Sequence, residues 1–322
     1  MLLYAGIDEA GYGPMLGPLC VGLTVFRVRE WEPGRPAPDL WELLAPSLMR
    51  TAKEASRGGV PVGDSKRLKL SNQSATRHPL VHLERGVLAM LATGHAEHRC
   101  CSDDAELHGA LGVSLGDSPW YAGEPLPLPC GNDAGMLRID AAQIAAAMAK
   151  AGVEFVSARV SVVDEVRFNR LLAERRSKAA VVEAALEEHL RGVRALVRES
   201  ESLRIVADRQ SGRTRYGGVL GRVFGEVIAE EESARASRYR VDGRHGVILH
   251  SEAEDAHLPV ALASMAAKLV RELAMARFNR YWSARVAELK PTAGYVQDAR
   301  RWLNDVGPSA TPDERERMIR KA

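Results

Sequence analysis

The chain has 322 residues, 46% hydrophobic and 27% charged, with a formal net charge of +2. That composition supports one large or two smaller globular domains with a sizeable core. It excludes a polybasic tail protein, so any nucleic-acid contact must come from local clusters of Lys and Arg. Four cysteines, two of them adjacent at Cys100 and Cys101, are too few for a disulfide scaffold. No apolar run approaches the roughly 20 residues of a membrane span, and no basic-then-apolar leader opens the chain. A cytoplasmic protein is expected.

Residues 2–8 read as a buried strand, because an apolar run is closed by the turn residues Gly11, Gly13 and Pro14. Residues 19–28 give a second strand. The stretch 29–63 is rich in Pro, Gly and charge, with a short helix expected near 41–49. A helix is expected from an N-cap at Ser71 or Ser74 to about Ala92. Residues 102–136 hold clustered Gly, Pro, Asp and Ser with little periodicity and read as an insertion. A helix is expected over 138–150, a strand over 153–163 and an amphipathic helix over 177–198. Short strands are expected at 203–208 and 246–250. The clearest helix covers 258–282, with Leu258, Leu262, Met265, Leu269, Leu273 and Phe278 on one side. Two short helices split by Gly307 and Pro308 are expected in the segment 296–322. Strands alternating with helices argue an α/β fold.

Acidic residues recur in one context. Asp8 and Glu9, then Asp208, then Glu252, Glu254 and Asp255 each lie at or just after a short apolar strand. If those strands are neighbours, the carboxylates converge at one sheet edge. Burying unpaired carboxylates is costly, so a cation is expected there. Several hard oxygen donors suit Mg²⁺ or Mn²⁺, and two such ions can activate water and stabilise a leaving oxygen in phosphodiester cleavage. Lys66, Arg67, Lys69, Arg209, Arg213, Arg215, Lys268 and Arg271 stand beside the acids in sequence, which fits a phosphate substrate. A dinucleotide loop at 11–17 is a poor reading, since Asp8 and Glu9 would repel a pyrophosphate and Pro14 lacks an amide donor. His95, His98, Cys100 and Cys101 do not match a zinc spacing. For His257 a structural role and an approach to a scissile phosphate stay open.

Five segments, in order, resemble the ribonuclease HII and HIII family. They are Gly6 to Pro18, Gly63-Asp64-Ser65-Lys66, Glu165 to Asn169 with Asp208 after it, Glu254 to Lys268, and Gly294-Tyr295. The match covers most of the chain outside roughly 29–60 and 95–150. The resemblance implies a single ribonuclease H-like α/β domain over 1–322, with a mixed central sheet flanked by helices, an insertion at about 102–136 and a C-terminal helical segment at about 296–322. It implies metal-dependent cleavage of the RNA strand of RNA–DNA hybrids, or of DNA containing ribonucleotides, to 5′-phosphate and 3′-hydroxyl ends. Asp8, Glu9, Asp208 and Glu254 are implied as catalytic acids and ligands of a two-metal Mg²⁺ or Mn²⁺ site, with Asp255 in reserve. Gly11, Tyr12, Gly13, Ser65, Lys66, Lys268 and Tyr295 are implied as substrate-binding residues. A monomer with no membrane association is expected.

The chain departs from the family at Tyr12, where a cation stands between the two glycines in ribonucleases HII and HIII. Glu254 is similar to ribonuclease HIII, whereas the layout is that of HII without the extra N-terminal domain of HIII. Two other classes stay open: a nucleic-acid-binding protein on this fold that has lost catalysis, and a related-fold nuclease acting on another structured nucleic acid.

Overall fold

The computed structural model describes residues 1–210 and 213–321. Seven strands form the central sheet: β1 (Leu2–Ala10), β2 (Leu19–Val28), β3 (Val153–Val163), β4 (Ser202–Asp208), β5 (Val227–Glu232), β6 (Ala236–Val241) and β7 (His245–His250). Their spatial order is β3-β2-β1-β4-β7-β6-β5. β1 runs antiparallel to β2 and parallel to β4, and β4 runs parallel to β7. The sheet is therefore mixed, and helices cover both faces, an α/β fold as expected. Among the described residues no helix is long and apolar enough to cross a membrane.

β1 and β2 are buried along almost their whole length, which explains their continuous apolar runs. One face packs on α1 (Val81–Ala92), α2 (Ala134–Ala151) and the helix Leu258–Ser283. The other packs on α3 (Lys178–Leu196) and α4 (Gly217–Phe224). The helix Leu258–Ser283, hereafter α5, is buried nearly all round, and its first turn lies against the sheet. Only glycine fits beneath it. A Cβ on Gly6 would stand 2.1 Å from the carbonyl carbon of Pro259, and one on Gly22 would stand 2.2 Å from the Ala263 oxygen. The Thr24 hydroxyl donates to the Pro259 carbonyl at 2.6 Å and fixes the turn on β2.

Several expected boundaries shift. The helix expected from Ser71 or Ser74 starts at Val81, because Pro79 interrupts the earlier residues. The helix expected near 41–49 covers only Leu40–Leu44, capped by Asp39, and Leu48–Met49 is a short strand. The helix Glu165–Arg175, the helix Gly217–Phe224 and the β5–β6 hairpin were not expected. The stretch 102–136 carries the helix Asp104–Leu111. Its Trp120 and Tyr121 are buried in a core with Leu16, Phe278, Trp282 and Trp302, and Asp104 takes a bidentate pair from buried Arg277 at 2.6 Å per arm. The helices Val296–Val306 and Pro312–Met318 flank Gly307-Pro308 as expected; residue 322, the end of that expected segment, lies outside the described residues.

Gly6→Ala or Gly22→Ala should lower stability by about 1–3 kcal/mol, because backbone rather than a flexible side chain blocks the new methyl. Gly13→Ala meets nothing within 4 Å and should leave the melting temperature close to that of the parent chain. Thermal melts of the three variants check this, and equal melting temperatures for all three would contradict it.

Candidate active site

The parallel ladder of β1 and β4 brings Ile7 opposite Ala207, and the next residue on each strand is an acid. Asp8 and Asp208 therefore leave adjacent strands at the same level. Asp8 is 7% exposed and lies opposite Gly22, under the α5 turn that carries Ser264. The Ser264 hydroxyl is shared with Ser65 at 2.9 Å. The Glu9 amide donates to Asp8 Oδ1 at 2.7 Å, and the Ala253 amide to Asp208 Oδ1 at 3.3 Å. Ala253 opens the short turn Ala253–Asp255 that delivers Glu254 to the same sheet edge. Glu254 is buried, and its Oε2 has no hydrogen-bond partner among the described residues. Asp255 is half-exposed and lies 3.9 Å from Arg67 Nη1. The two neighbouring acids thus differ: Glu254 faces the other carboxylates and Asp255 faces the rim.

The electrostatics follow from this crowding. Burial pushes the Asp8 carboxyl well above the usual range, and the charges of Asp208, Glu9 and Glu254 push it further, against the Ser264 hydroxyl. Burial and then Asp208 push Glu9 up to about 7, with Lys66 acting in the opposite direction. Asp208 and Glu254 are also raised, chiefly by burial. Lys66 is exposed and offsets Glu9, Asp208 and Glu254 from the rim. Among the described residues none of the four acids makes an ion pair with Lys or Arg. Repulsion of this kind is relieved by a cation. The donors are all oxygens, which suits Mg²⁺ or Mn²⁺. Among the described residues, no three or more His, Cys, Asp or Glu side chains already stand clustered as a ligand set. The fit to a divalent ion is therefore one of donor chemistry and orphaned charge, here in Glu254 Oε2.

The other expected residues divide into exposed and buried sets. Tyr12 is half-buried beside the core on the α3 side, and burial, then the charge of Glu9, raises its phenol. Gly13 is exposed and Tyr295 is 49% exposed. Gly294 joins them, since its carbonyl accepts the Met15 and Leu16 amides at 2.8 and 3.1 Å. Ser65 is 3% exposed and spends its hydroxyl on Ser264, so it positions the acids from below. Lys268 is largely covered and pairs with Glu272 at 3.0 Å. Arg209 donates to the carbonyl of Arg213 at 2.6 Å and to that of Ser233 in the β5–β6 turn at 3.1 Å, and Arg213 pairs with Glu183 on α3, so both tie their loop to neighbouring elements. Arg215 is exposed. His257 shares a 2.5 Å hydrogen bond with the buried Tyr4 hydroxyl, and burial pushes it down to about 4, so it is neutral at pH 7 and tied to the core.

Sequence reasoning missed three features. The first is a cavity of about 300 Å³ beside Glu254, walled by Trp41, Arg50, Thr51, Gly63, Asp64 and Arg67. The Arg50 guanidinium lies 3.9 Å from the centre of the Trp41 ring there. The second is Ser264 as the hydroxyl over Asp8, detectable only as part of the Glu254 to Lys268 segment. The third is Arg320, buried under the 11–17 turn beside Glu165 of the Glu165 to Asn169 segment and Arg271 of the basic set, with no local pattern to reveal it. A larger cavity of about 510 Å³, between Leu126–Pro129 and α5, contains none of the four acids.

No family model matches the chain, and no curated protein matches it. Solved structures similar to it include RNase HII of Archaeoglobus fulgidus in complex with PCNA, at 14% identity and a TM-score of 0.45, covering 99% of this chain and 93% of that one. Bst-RNase HIII in complex with Mn²⁺ gives 16% and 0.43, covering 99% and 66%. RNase H3 of Aquifex aeolicus gives 14% and 0.42, covering 98% and 70%. At these scores the likeness supports no statement about the catalytic residues.

The raised acids set a pH dependence. Between about 4.5 and about 7 the folded chain holds protons on Glu9 and Glu165 that the unfolded chain has released, so unfolding free energy falls as pH rises through that window. The metal-free melting temperature should drop from about pH 5 to about pH 8, and Mg²⁺ should raise it more at the higher pH. A melting temperature that climbs across the window in the absence of metal would contradict this.

Proposed function

We propose that the chain is a metal-dependent endoribonuclease that cuts the RNA strand of RNA–DNA hybrids, or DNA containing ribonucleotides, leaving 5′-phosphate and 3′-hydroxyl ends. One observation carries the reading: Asp8, Glu9, Asp208 and Glu254 converge from two adjacent strands and one turn at a single sheet edge, raised by burial and by one another. The five ordered motifs that resemble ribonucleases HII and HIII point to the same chemistry. In this reading the whole chain acts as one catalytic unit, a cytoplasmic monomer.

The four acids would hold Mg²⁺ or Mn²⁺. Bound there, the ions supply Lewis acidity that makes water nucleophilic and neutralises charge on the phosphoryl oxygens. The remaining work falls to the chain. Ser264, held by Ser65, orients the Asp8 carboxylate. Lys66 offers a rim cation to the phosphate backbone. In this reading Tyr12, Gly13 and Tyr295 would contact sugar and phosphate, the rings by stacking. A second reading, a nuclease for another structured nucleic acid, is favoured by Tyr12, which puts a ring where the family has a cation.

Three outcomes are expected. Asp8→Asn or Asp208→Asn should reduce cleavage of a hybrid more than about a hundredfold while leaving the fold and hybrid binding largely intact; full activity of either in Mg²⁺ or Mn²⁺ would remove the metal reading. Glu254→Gln should cost far more activity than Asp255→Asn, and the reverse order would exchange their roles. A duplex with a four-ribonucleotide run should be cut better than one with a single ribonucleotide, because adjacent 2′-hydroxyls offer more than one register. Tyr12→Arg should shift preference towards the single ribonucleotide. Equal cutting of both duplexes by the parent chain would count against this specificity.

A further inference from the structure

The turn that carries Tyr12 and Gly13 is held by buried side chains and, through the Met15 and Leu16 amides, by the Gly294 carbonyl. Arg320 is 4% exposed and donates to the carbonyl of Pro14 through Nε at 2.9 Å and through Nη2, and to that of Tyr12 through Nη2 at 3.3 Å. Its own amide donates to the Met15 carbonyl at 2.9 Å. Arg271, 1% exposed, donates to the Leu16 carbonyl at 3.4 Å and the Ala293 carbonyl at 3.0 Å. The Gly17 amide donates to Glu165 Oε1 at 3.0 Å. The carbonyls of Tyr12, Pro14, Met15 and Leu16 are thus all taken by donors beneath the turn. The amides of Tyr12 and Gly13 find no acceptor among the described residues.

Arg320 is itself clamped. Asn169 donates to the Ile319 carbonyl at 2.8 Å and accepts from the Lys321 amide at 2.7 Å. The guanidinium lies 4.7 Å from the centre of the Phe168 ring. Glu165, Phe168 and Asn169 share one helix, so that helix and the 319–321 segment together grip the turn. No carboxylate pairs with Arg320 at ion-pair distance among the described residues, and its Nη1 has no partner. A cation kept buried against backbone carbonyls is an expensive way to fill space, since leaving those carbonyls without donors would be the alternative cost.

We infer that Arg320 is the positioning residue for the Tyr12–Gly13 turn: it captures the turn's carbonyls from beneath so that the two free amides present donors, next to Asp8 and Glu9, to an oxygen acceptor on the substrate backbone. The acceptor is a phosphate oxygen or a ribose hydroxyl. The inference rests on the nuclease reading for the identity of that substrate. Arg320 stays out of contact with the substrate and acts through the turn.

The test compares the parent chain with Arg320→Met and Arg320→Lys, by hydrogen exchange and by binding and cleavage of a four-ribonucleotide hybrid and binding of the all-DNA duplex. Arg320→Met should speed exchange of the Met15, Leu16 and Gly17 amides about tenfold or more, with α5 exchange and the melting cooperativity kept. It should weaken hybrid affinity by about tenfold, while saturating turnover changes less than KM. Arg320→Lys, which keeps one charged donor, should recover part of both effects. Equal loss of affinity for the all-DNA duplex would assign the acceptor as phosphate, and loss confined to the hybrid would assign it as the ribose hydroxyl; either supports the inference. Unchanged exchange at 15–17, or unchanged hybrid affinity in an enzyme that cuts hybrids, overturns the inference alone. A parent chain that neither binds nor cuts any hybrid overturns the nuclease reading, and the substrate role of the turn with it, even where the exchange data show Arg320 anchoring it.

Discussion

The contact that the rest of the molecule depends on is the seating of the first turn of α5 on Gly6 and Gly22. A Cβ would stand 2.1 Å from the Pro259 carbonyl carbon at Gly6 and 2.2 Å from the Ala263 oxygen at Gly22, so glycine alone fits there without a shift of backbone. That approach, fixed by the Thr24 hydroxyl on Pro259, places Ser264 over Asp8 and sets where the preceding turn must deliver Glu254. The same helix continues under the 11–17 turn, where Arg271 reaches the Leu16 carbonyl. One helix therefore links the acids to the surface that would receive a substrate.

The second consequence is electrostatic. Four acids sit at one sheet edge with no ion pair to Lys or Arg among the described residues, and each is raised by burial. A site built only for stability would pair or remove them, since buried unpaired charge is among the most destabilising features a fold can carry. Groups whose pKa is strongly perturbed in this way are candidates for function. The contrast with Asp104–Arg277 and Arg27–Glu201, where buried acids are fully paired, shows that this chain can neutralise an acid where only structure is at stake.

Much of this was legible in the sequence, and the reasons are local. β1, β2 and α5 are buried on most sides, so their apolar runs are long and their flanking turns clear. Glu254, ahead of Asp255, was what the resemblance implied, by ungapped counting back from Ser264. The β5–β6 hairpin was not, because Val227–Glu232 is an exposed edge strand whose charges, paired across to Arg238 and Arg240, erase the alternation that marks a strand. The stretch 102–136 was illegible because its aromatic residues pack on α5, more than 150 residues away in the chain, and no periodicity records such a contact. Ser65 and Lys268 were implied by the resemblance as substrate-binding residues, yet one hydrogen-bonds Ser264 from a buried position and the other is turned to Glu272. Arg320 is the extreme case: its partners are the carbonyls of Tyr12 and Pro14, at the other end of the chain.

The central claim is that the four acids at this sheet edge form a divalent-cation site. Titration of the metal-free protein with Mn²⁺, followed by calorimetry in two buffers of different ionisation enthalpy, tests it most directly. The account predicts saturable binding near neutral pH with release of protons from the raised carboxyls, and marked weakening of that binding in Asp208→Asn. Binding that is absent, or that is equal in the parent chain and in Asp208→Asn with no proton release, would contradict it.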